Sequence, residues 1–419
     1  MTHPNFPGQY KHLAHQLASD PENQVVFISN PKPQYIPGVQ KVEVQVPTHE
    51  GGGGSRAHRY LQDFEKAIYR GQAVWRVCAD LKVKGFVPDV ICSHPGWGDG
   101  LFLKDIFPDV PLLNYCEFYY RSFGADVHFH PEQKINPDTL ARVRIKNSNN
   151  ILNLEACDWG ITPTHWQRQL HPSEFKHKIS VLHEGIDTLA LKPGKPTEPL
   201  ILSDGQKLKP EDEIITYVAR NLEPYRGFPI FMQAVATLLK ERPACRVLII
   251  GNDGSSYSDP PQGKTYKQLV LEKTKFDKDR VYFFGWLPYE QMVQVLRYSS
   301  VHVYWTVPFV LSWSMLEAMA LGCLVLGSDT SPVREIIQDG RNGLLADFFS
   351  PLKIVEKIIK VLDHPDLMAE VRKRARETVE ENYALKDTLP LHLALIRDLA
   401  ERRVPPPTAE AIQRYSGRH

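Results

Sequence analysis

Short apolar, β-branched runs alternate with longer segments of helical spacing through most of this sequence, and that alternation restricts the fold more than any other feature. VVFIS (25–29), PDVIC (88–92), PLLNY (111–115) and ISVLH (179–183) read as buried strands. Residues 59–84 place Leu61, Phe64, Ile68, Val74 and Val77 on related helical faces. A second series starts near residue 213. Its strands are IITYVA, CRVLIIG, RVYFFG, VHVYW and CLVLGS, with helical segments at 227–240, 263–274, 288–298 and 313–321. Parallel strands need helical crossovers, so two such series predict two doubly wound α/β sheets.

The break between the series falls in 190–210, a stretch rich in proline and lysine and without periodicity. The expected division is an N-terminal domain over 1–195 and a C-terminal domain over 196–385. From about 351 the pattern is helical, and the end, VPPPTAEAIQRYSGRH, reads as a loose tail. GGGGS at 51–55 reads as a mobile loop after the strand VEVQV. The start is unusual. Only Met1–His3 precede NFPGQ, so either the first strand is very short or the natural start lies upstream.

Composition narrows the class. The chain has 419 residues, with 50 basic against 49 acidic side chains, and neither half is a charge block. That excludes a whole-domain basic surface for nucleic acid. No run approaches 18 apolar residues, and the N-terminus lacks the apolar core of a signal peptide, so a cytoplasmic protein is expected. Six cysteines, at 78, 92, 116, 157, 245 and 323, form no CxxC and read as buried free thiols in a reducing compartment. RKRAR (372–376) and ARVRIK (141–146) read first as solvated helix faces. They leave open a weak peripheral contact with anionic lipid at the inner face of the membrane.

Several segments carry candidate chemistry. In VHVYWTVPFVLSWSMLEAMALG (301–322) a strand ends near Trp305 and a helix begins near Ser314, with Ser312 and Ser314 as N-cap candidates. A helix N-terminus at the carboxyl edge of a parallel sheet presents N–H groups and a positive dipole end to phosphate. Glu317, one turn in, could reach a ribose diol, or could only complement its own helix dipole. In YVARNLEPYRGF (217–228), Arg220 follows a strand and Arg226 precedes a helix. Guanidinium forks suit a pyrophosphate, although two solvated arginines give the same pattern.

CRVLIIGNDG (245–254) runs from a strand into a turn at Gly251 and Asn252, without a dinucleotide fingerprint. NFPGQ offers a turn at Gly8, where a backbone N–H can approach a ligand. In SHPGWGDG (93–100), His94 ends a strand beside an open loop holding Asp99; it suits acid–base or hydroxyl contact, or a structural bond to backbone. Glu117 sits among Tyr115, Tyr119 and Tyr120, which suits carbohydrate contact or an aromatic core strand. DKD at 277–279 has the spacing of a metal-holding pair but lies in a charged turn, so no metal site is expected.

Together, YVARNLEPYRG, VLIIGNDG, FFGWLPYEQM and LEAMALGCLVLGSDTSPVREIIQDGRNGLL resemble the family 4 retaining glycosyltransferases of GT-B fold, most clearly over about 210–385. NFPGQYKHLA, SHPGWGDGLFLKDIFP and LHEGIDT are similar to a bacterial branch of that family that makes envelope or exported polysaccharide. The resemblance implies two Rossmann-like, doubly wound domains facing a cleft. Donor would sit on the second and acceptor on the first, with the C-terminal helix, about 386–419, packing back on the first.

Residue by residue, the resemblance puts Arg220 and Arg226 on the donor diphosphate, the second in place of the usual lysine. It puts Glu317 on the donor ribose, as the second Glu of an E-x7-E motif. Leu311, Ser312, Trp313 and Ser314 form the loop facing the donor sugar and phosphate. Gly251 and Asn252 lie beside the donor, Gly285 and Trp286 near its base, Gly8 in the first-domain glycine loop, and His94 near the sugar. His94, Glu117, Arg220 and Arg226 are the expected catalytic set.

One departure stands out. Eight residues before Glu317 is Phe309, where the family has its first motif Glu. Glu117 or Asp99 could contact the sugar in its place. The expected activity is transfer of a hexose, with retention, from a nucleoside-diphosphate sugar (UDP-glucose) to a glycan or lipid-linked acceptor, without metal or cofactor. Two alternatives stay open: a sugar-nucleotide epimerase of the same fold, and a donor-binding but inactive subunit of a polysaccharide assembly.

Overall fold

The computed structural model describes residues 1–46, 57–194, 196–202, 205–259, 261–403 and 409–417. The GGGGS segment lies outside them. The chain forms two compact units: Met1–Gly185 with Leu385–His419, and Ile186–Ala384.

The first unit is built on a parallel sheet. Its strands are β1 (Val25–Ser29), β2 (Val39–Glu43), β3 (Ile91–Ser93), β4 (Leu112–Tyr115), β5 (Trp159–Thr162) and β6 (Ile179–Val181). β3 to β6 pair in sequence order, and β1 pairs with β2. Thr2 joins the two sets by parallel bridges to Ile28 and to Ser93. Its N–H donates to the Cys92 carbonyl at 2.9 Å, and the His94 N–H donates to the Thr2 carbonyl at 3.1 Å. Met1–His3 thus serve as a central strand, too short to show any period. The spatial order becomes β2, β1, Thr2, β3, β4, β5, β6, and it reverses between Thr2 and β3. Ligands of doubly wound sheets bind at such a reversal, beyond the carboxyl ends of the strands.

β5 was not expected, because DWGITP carries Gly and Pro rather than an apolar run. The tail is a second correction. The helix Ala409–Arg414 follows the long helix Leu385–Ala400, and Tyr415 is 1% exposed. Tyr415 packs edge-on to Trp159, ring centres 5.6 Å apart, and joins Leu395, Ile396 and Leu399 in a core with Phe27, Leu113 and Ile161. Burying side chains of this size contributes about 1.5–3 kcal/mol each, more than enough to dock a short helix.

The second unit opens with a small antiparallel hairpin, β7 (Leu200–Ile201) and β8 (Lys207–Leu208). A six-stranded sheet follows: β9 (Ile214–Asn221), β10 (Arg246–Asn252), β11 (Val281–Gly285), β12 (Val301–Tyr304), β13 (Val325–Ser328) and β14 (Leu344–Ala346). All pairs are parallel, in the order β11-β10-β9-β12-β13-β14. The order reverses between β9 and β12. β14 was not expected; at three residues it is too short to show alternation.

RKRAR is only partly a solvated face. Arg376 reaches inward to the carbonyls of Thr188 (2.7 Å) and Ala320 (2.6 Å), and Arg372 to that of Ser300 (2.8 Å). Lys373 and Arg374 stay outside, paired with Glu377 and Glu370. All six cysteines are buried and free. No helix of the described residues is long and apolar enough to cross a membrane.

Candidate functional site

In the second unit, the segments after β9 and β12 converge at the reversal point. β9 ends with Arg220 exposed and Asn221 buried. The chain then turns through Pro224–Arg226 into the helix Phe228–Glu241. Gly227 adopts φ 63°, and a Cβ there would lie 2.3 Å from the Trp305 ring, so the turn requires glycine on both counts.

Arg226 is buried. Its Nη1 donates to Thr306 Oγ1 (2.9 Å) and to the Val310 carbonyl (3.1 Å). Its guanidinium lies 5.4 Å from the ring centre of Tyr257 and 6.0 Å from that of Phe309. The two arginines therefore differ in setting. Arg220 is an exposed charge, while Arg226 ties down the loop from Thr306 to Val310.

That loop leads to the helix Trp313–Ala320, capped by Ser312, whose side chain accepts from the Ser314 N–H. The Ser312 N–H donates to the Tyr304 hydroxyl at 2.7 Å, which fixes the helix start against β12. Leu311 is half-buried and Trp313 exposed. Glu317 lies one turn in, only 9% exposed, and accepts from the Tyr289 hydroxyl at 2.9 Å. Burial, and then the Glu317 carboxylate, push the Tyr289 pKa up, so the hydroxyl stays a donor. Gly285 closes β11, and the Trp286 ring beside it is 69% exposed.

Phe309 is buried, in contact with Tyr225 (5.1 Å between ring centres) and Tyr257 (4.9 Å). Sequence reading missed the residue that arranges this aromatic wall. Glu223 is fully buried and accepts from Ser255 Oγ (3.2 Å) and from the N–H groups of Ser256 (3.2 Å), Tyr257 (3.0 Å) and Ser258 (2.8 Å). It shapes the turn after β10 and so sets Tyr257 over Arg226. Gly251 is buried at the end of β10, where a Cβ would lie 2.7 Å from the Ala219 carbonyl; its place is in strand packing. Asn252 is exposed, and its carbonyl accepts from the Leu222 N–H.

In the first unit, the reversal point gathers Gly8, His94 and Glu117. Gly8 has φ 51°, and a Cβ there would meet the His3 ring at 2.8 Å. The next residue, Gln9, donates from Nε2 to Glu117 Oε1 at 2.8 Å, and Glu117 Oε2 lies 3.5 Å from His94 Nε2. His94 is 2% exposed, stacked on Tyr115 at 5.5 Å and met edge-on by His3 at 4.8 Å. His3 is held well below the usual imidazole pKa, first by burial and then by His94. It is neutral, and its Nδ1 accepts from the Asn5 N–H.

The structure overturns one expectation here. Asp99 does not face a ligand: it is fully buried and bidentate to Arg70, at 2.9 Å and 3.2 Å. Burial raises its pKa, and the Arg70 guanidinium opposes the rise. Of the two proposed substitutes for the missing motif Glu, only Glu117 keeps side-chain exposure. The DKD turn is likewise structural, with Asp277 accepting from the Asp279 N–H and pairing with Arg280. Among the described residues, no group of three His, Cys, Asp or Glu side chains could hold a metal ion.

Comparison with known proteins agrees with this architecture. Residues 21–191 match the Glycosyl transferase family 4 group, and residues 202–378 match Glycosyl transferases group 1. The spore coat protein SA of Bacillus subtilis is 23% identical over 323 residues, 73% of this chain and 77% of that protein. Trehalose synthase of Pyrococcus horikoshii is 24% identical over 239 residues, and the chain spans only 56% of its length. Among solved structures, sucrose-phosphate synthase from Thermosynechococcus elongatus superimposes with a TM-score of 0.67 at 16% identity, over 94% of this chain and 92% of that one. Anabaena HepE in complex with UDP-glucose gives 0.64 at 14% identity, over 96% and 97%. The chain has the GT-B fold and belongs to the group 1 glycosyltransferases of family 4.

Proposed function

We propose that this glycosyltransferase moves a hexose from a nucleoside-diphosphate sugar, UDP-glucose, to a glycan or lipid-linked acceptor in polysaccharide synthesis, with retention at the anomeric carbon. One observation carries the reading: Arg220, a serine-capped helix N-terminus and Glu317 converge at the reversal point of the second sheet. Arg220 and the helix N–H groups would receive the diphosphate, and Glu317 the ribose. Trp286 offers an exposed ring for the base. The positive charge meets the leaving diphosphate where its charge grows, the electrostatic term that most lowers such barriers. Arg226 acts from below, holding the loop that shapes the site.

Acceptor would bind on the first unit, where Glu117 and His94 supply polar contacts beside Gly8. In the reaction the bond from C1 to the diphosphate oxygen breaks, the acceptor oxygen bonds to C1, and the acceptor's hydroxyl proton passes to the departing diphosphate oxygen. Cytoplasmic placement follows from the donor, with a lipid-linked acceptor reached at the membrane face. The UDP-glucose complex of the HepE neighbour supports the choice of donor, and Arg220 together with the helix N–H groups supports turnover without metal.

The test is a panel of nucleotide sugars, each with a glycan and a lipid-linked acceptor, scored by nucleotide release with and without chelator, with Glu317→Ala as control. UDP release from UDP-glucose, lost in the variant and unchanged by chelator, is expected. No release from any pair would sink the reading in favour of a donor-binding subunit. A sugar product formed without acceptor would favour an epimerase.

A further inference from the structure

Between two segments of the second unit runs a hydrogen bond that the proposed reaction does not use. The segment after β11 carries Trp286 and then Tyr289, the first residue of the helix Tyr289–Arg297. The segment after β12 carries Glu317 on the helix Trp313–Ala320. The Tyr289 hydroxyl donates to Glu317 Oε1 at 2.9 Å. A glutamate carboxylate turns freely about its last torsion, and a fixed donor on one oxygen removes that freedom. It sets the carboxylate plane and therefore the direction in which the group can accept further hydrogen bonds.

We propose that Tyr289 is a positioning residue that aims Glu317 at the ribose diol, and so makes the site selective for ribonucleoside diphosphates over their 2′-deoxy counterparts. The inference rests on the assignment of Glu317 to the ribose. Its chemistry is that of a buried acceptor built for a hydroxyl. A ligand lacking that hydroxyl forfeits the bond for which the buried acceptor is aimed, and the site then rejects it far more strongly than an apolar pocket would. The discrimination depends on the carboxylate being held, because a free one would swing to the remaining hydroxyl or to water. Tyr289 is itself 47% exposed, so loss of its hydroxyl leaves the core intact. Its position three residues past Trp286 also links the base side of the site to the ribose side.

The test is calorimetric titration of the full chain with uridine, guanosine and adenosine diphosphates and their 2′-deoxy forms. The wild type is expected to prefer the best ribonucleotide by about tenfold or more. Tyr289→Phe should bring that ratio to within about threefold, mainly by weakening the ribonucleotide. An unchanged ratio in Tyr289→Phe, with Glu317→Ala collapsing it, would overturn the role of Tyr289 and leave the ribose assignment standing. Equal weakening of both nucleotides by Tyr289→Phe would also overturn it, since a packing role does not distinguish them. A ratio unaffected by Glu317→Ala, or no binding of any nucleotide, would overturn the ribose assignment and this inference together.

Discussion

Glu223 is a carboxylate with no exposed surface, and the turn after β10 supplies what water would otherwise give it. A carboxylate with that many donors is costly to remove, because the N–H groups it serves are left without partners. Glu223→Ala is expected to release residues 255–258, speed their amide hydrogen exchange by about tenfold or more, and uncover Arg226. Glu223→Gln, which keeps one acceptor oxygen, should lie between. Sequence alone could not find this clasp. Its partners lie 32 to 35 residues further on, in a turn with no periodic pattern, and the acid itself sits in an unremarkable Leu-Glu-Pro. Ser312 and Glu317 were legible because a helix start is a local event. Asp99 misled for the same reason as Glu223: a glycine-rich loop reads as open, while the Arg70 that buries it comes from a distant helix.

At the scale of elements, long strands with β-branched runs were readable and short ones were not. β9, β10 and β12 announce themselves, whereas the Met1–His3 strand, β5 and β14 are specified by neighbours rather than by their own pattern. The C-terminal helix belongs to the second kind. It is docked by Asp398, which accepts from the Tyr415 hydroxyl at 2.5 Å and pairs with Arg403 and Arg414. The Tyr415 bond, more than the two exposed arginines, holds the Asp398 pKa below its ordinary 3.8, while burial opposes. A depressed acid stabilises fully above its unfolded value and loses that contribution as pH falls through its folded one. The segment 409–417 should therefore hold at neutral pH and loosen below about pH 4, by about 1 kcal/mol once the exposure of both arginines is discounted. Asp398→Asn should loosen it at neutral pH and remove that part of the acid dependence. Thermal midpoints of the two chains, compared from pH 7 to pH 3, check this.

For the whole molecule, the two units differ in how their cores are assembled. The second, Ile186–Ala384, is one unbroken stretch with its own six-stranded sheet. Made alone, it is expected to melt cooperatively and to bind the donor nucleotide. The first draws Leu395, Ile396, Leu399 and Tyr415 from the far end of the chain. Residues 1–185 alone should expose the faces those side chains cover, and aggregate or melt without a transition; circular dichroism on both fragments distinguishes the cases.

That division also sets an order in time. A ribosome delivers residues 1–185 before residues 186–384, yet the helix that completes the core of 1–185 emerges after both, about 10–40 s later at ~5–20 residues per second. The unit encoded second is then the first to be finished. During that interval the nascent first unit carries an uncovered apolar flank, and it is in this window that a holding chaperone would find its client.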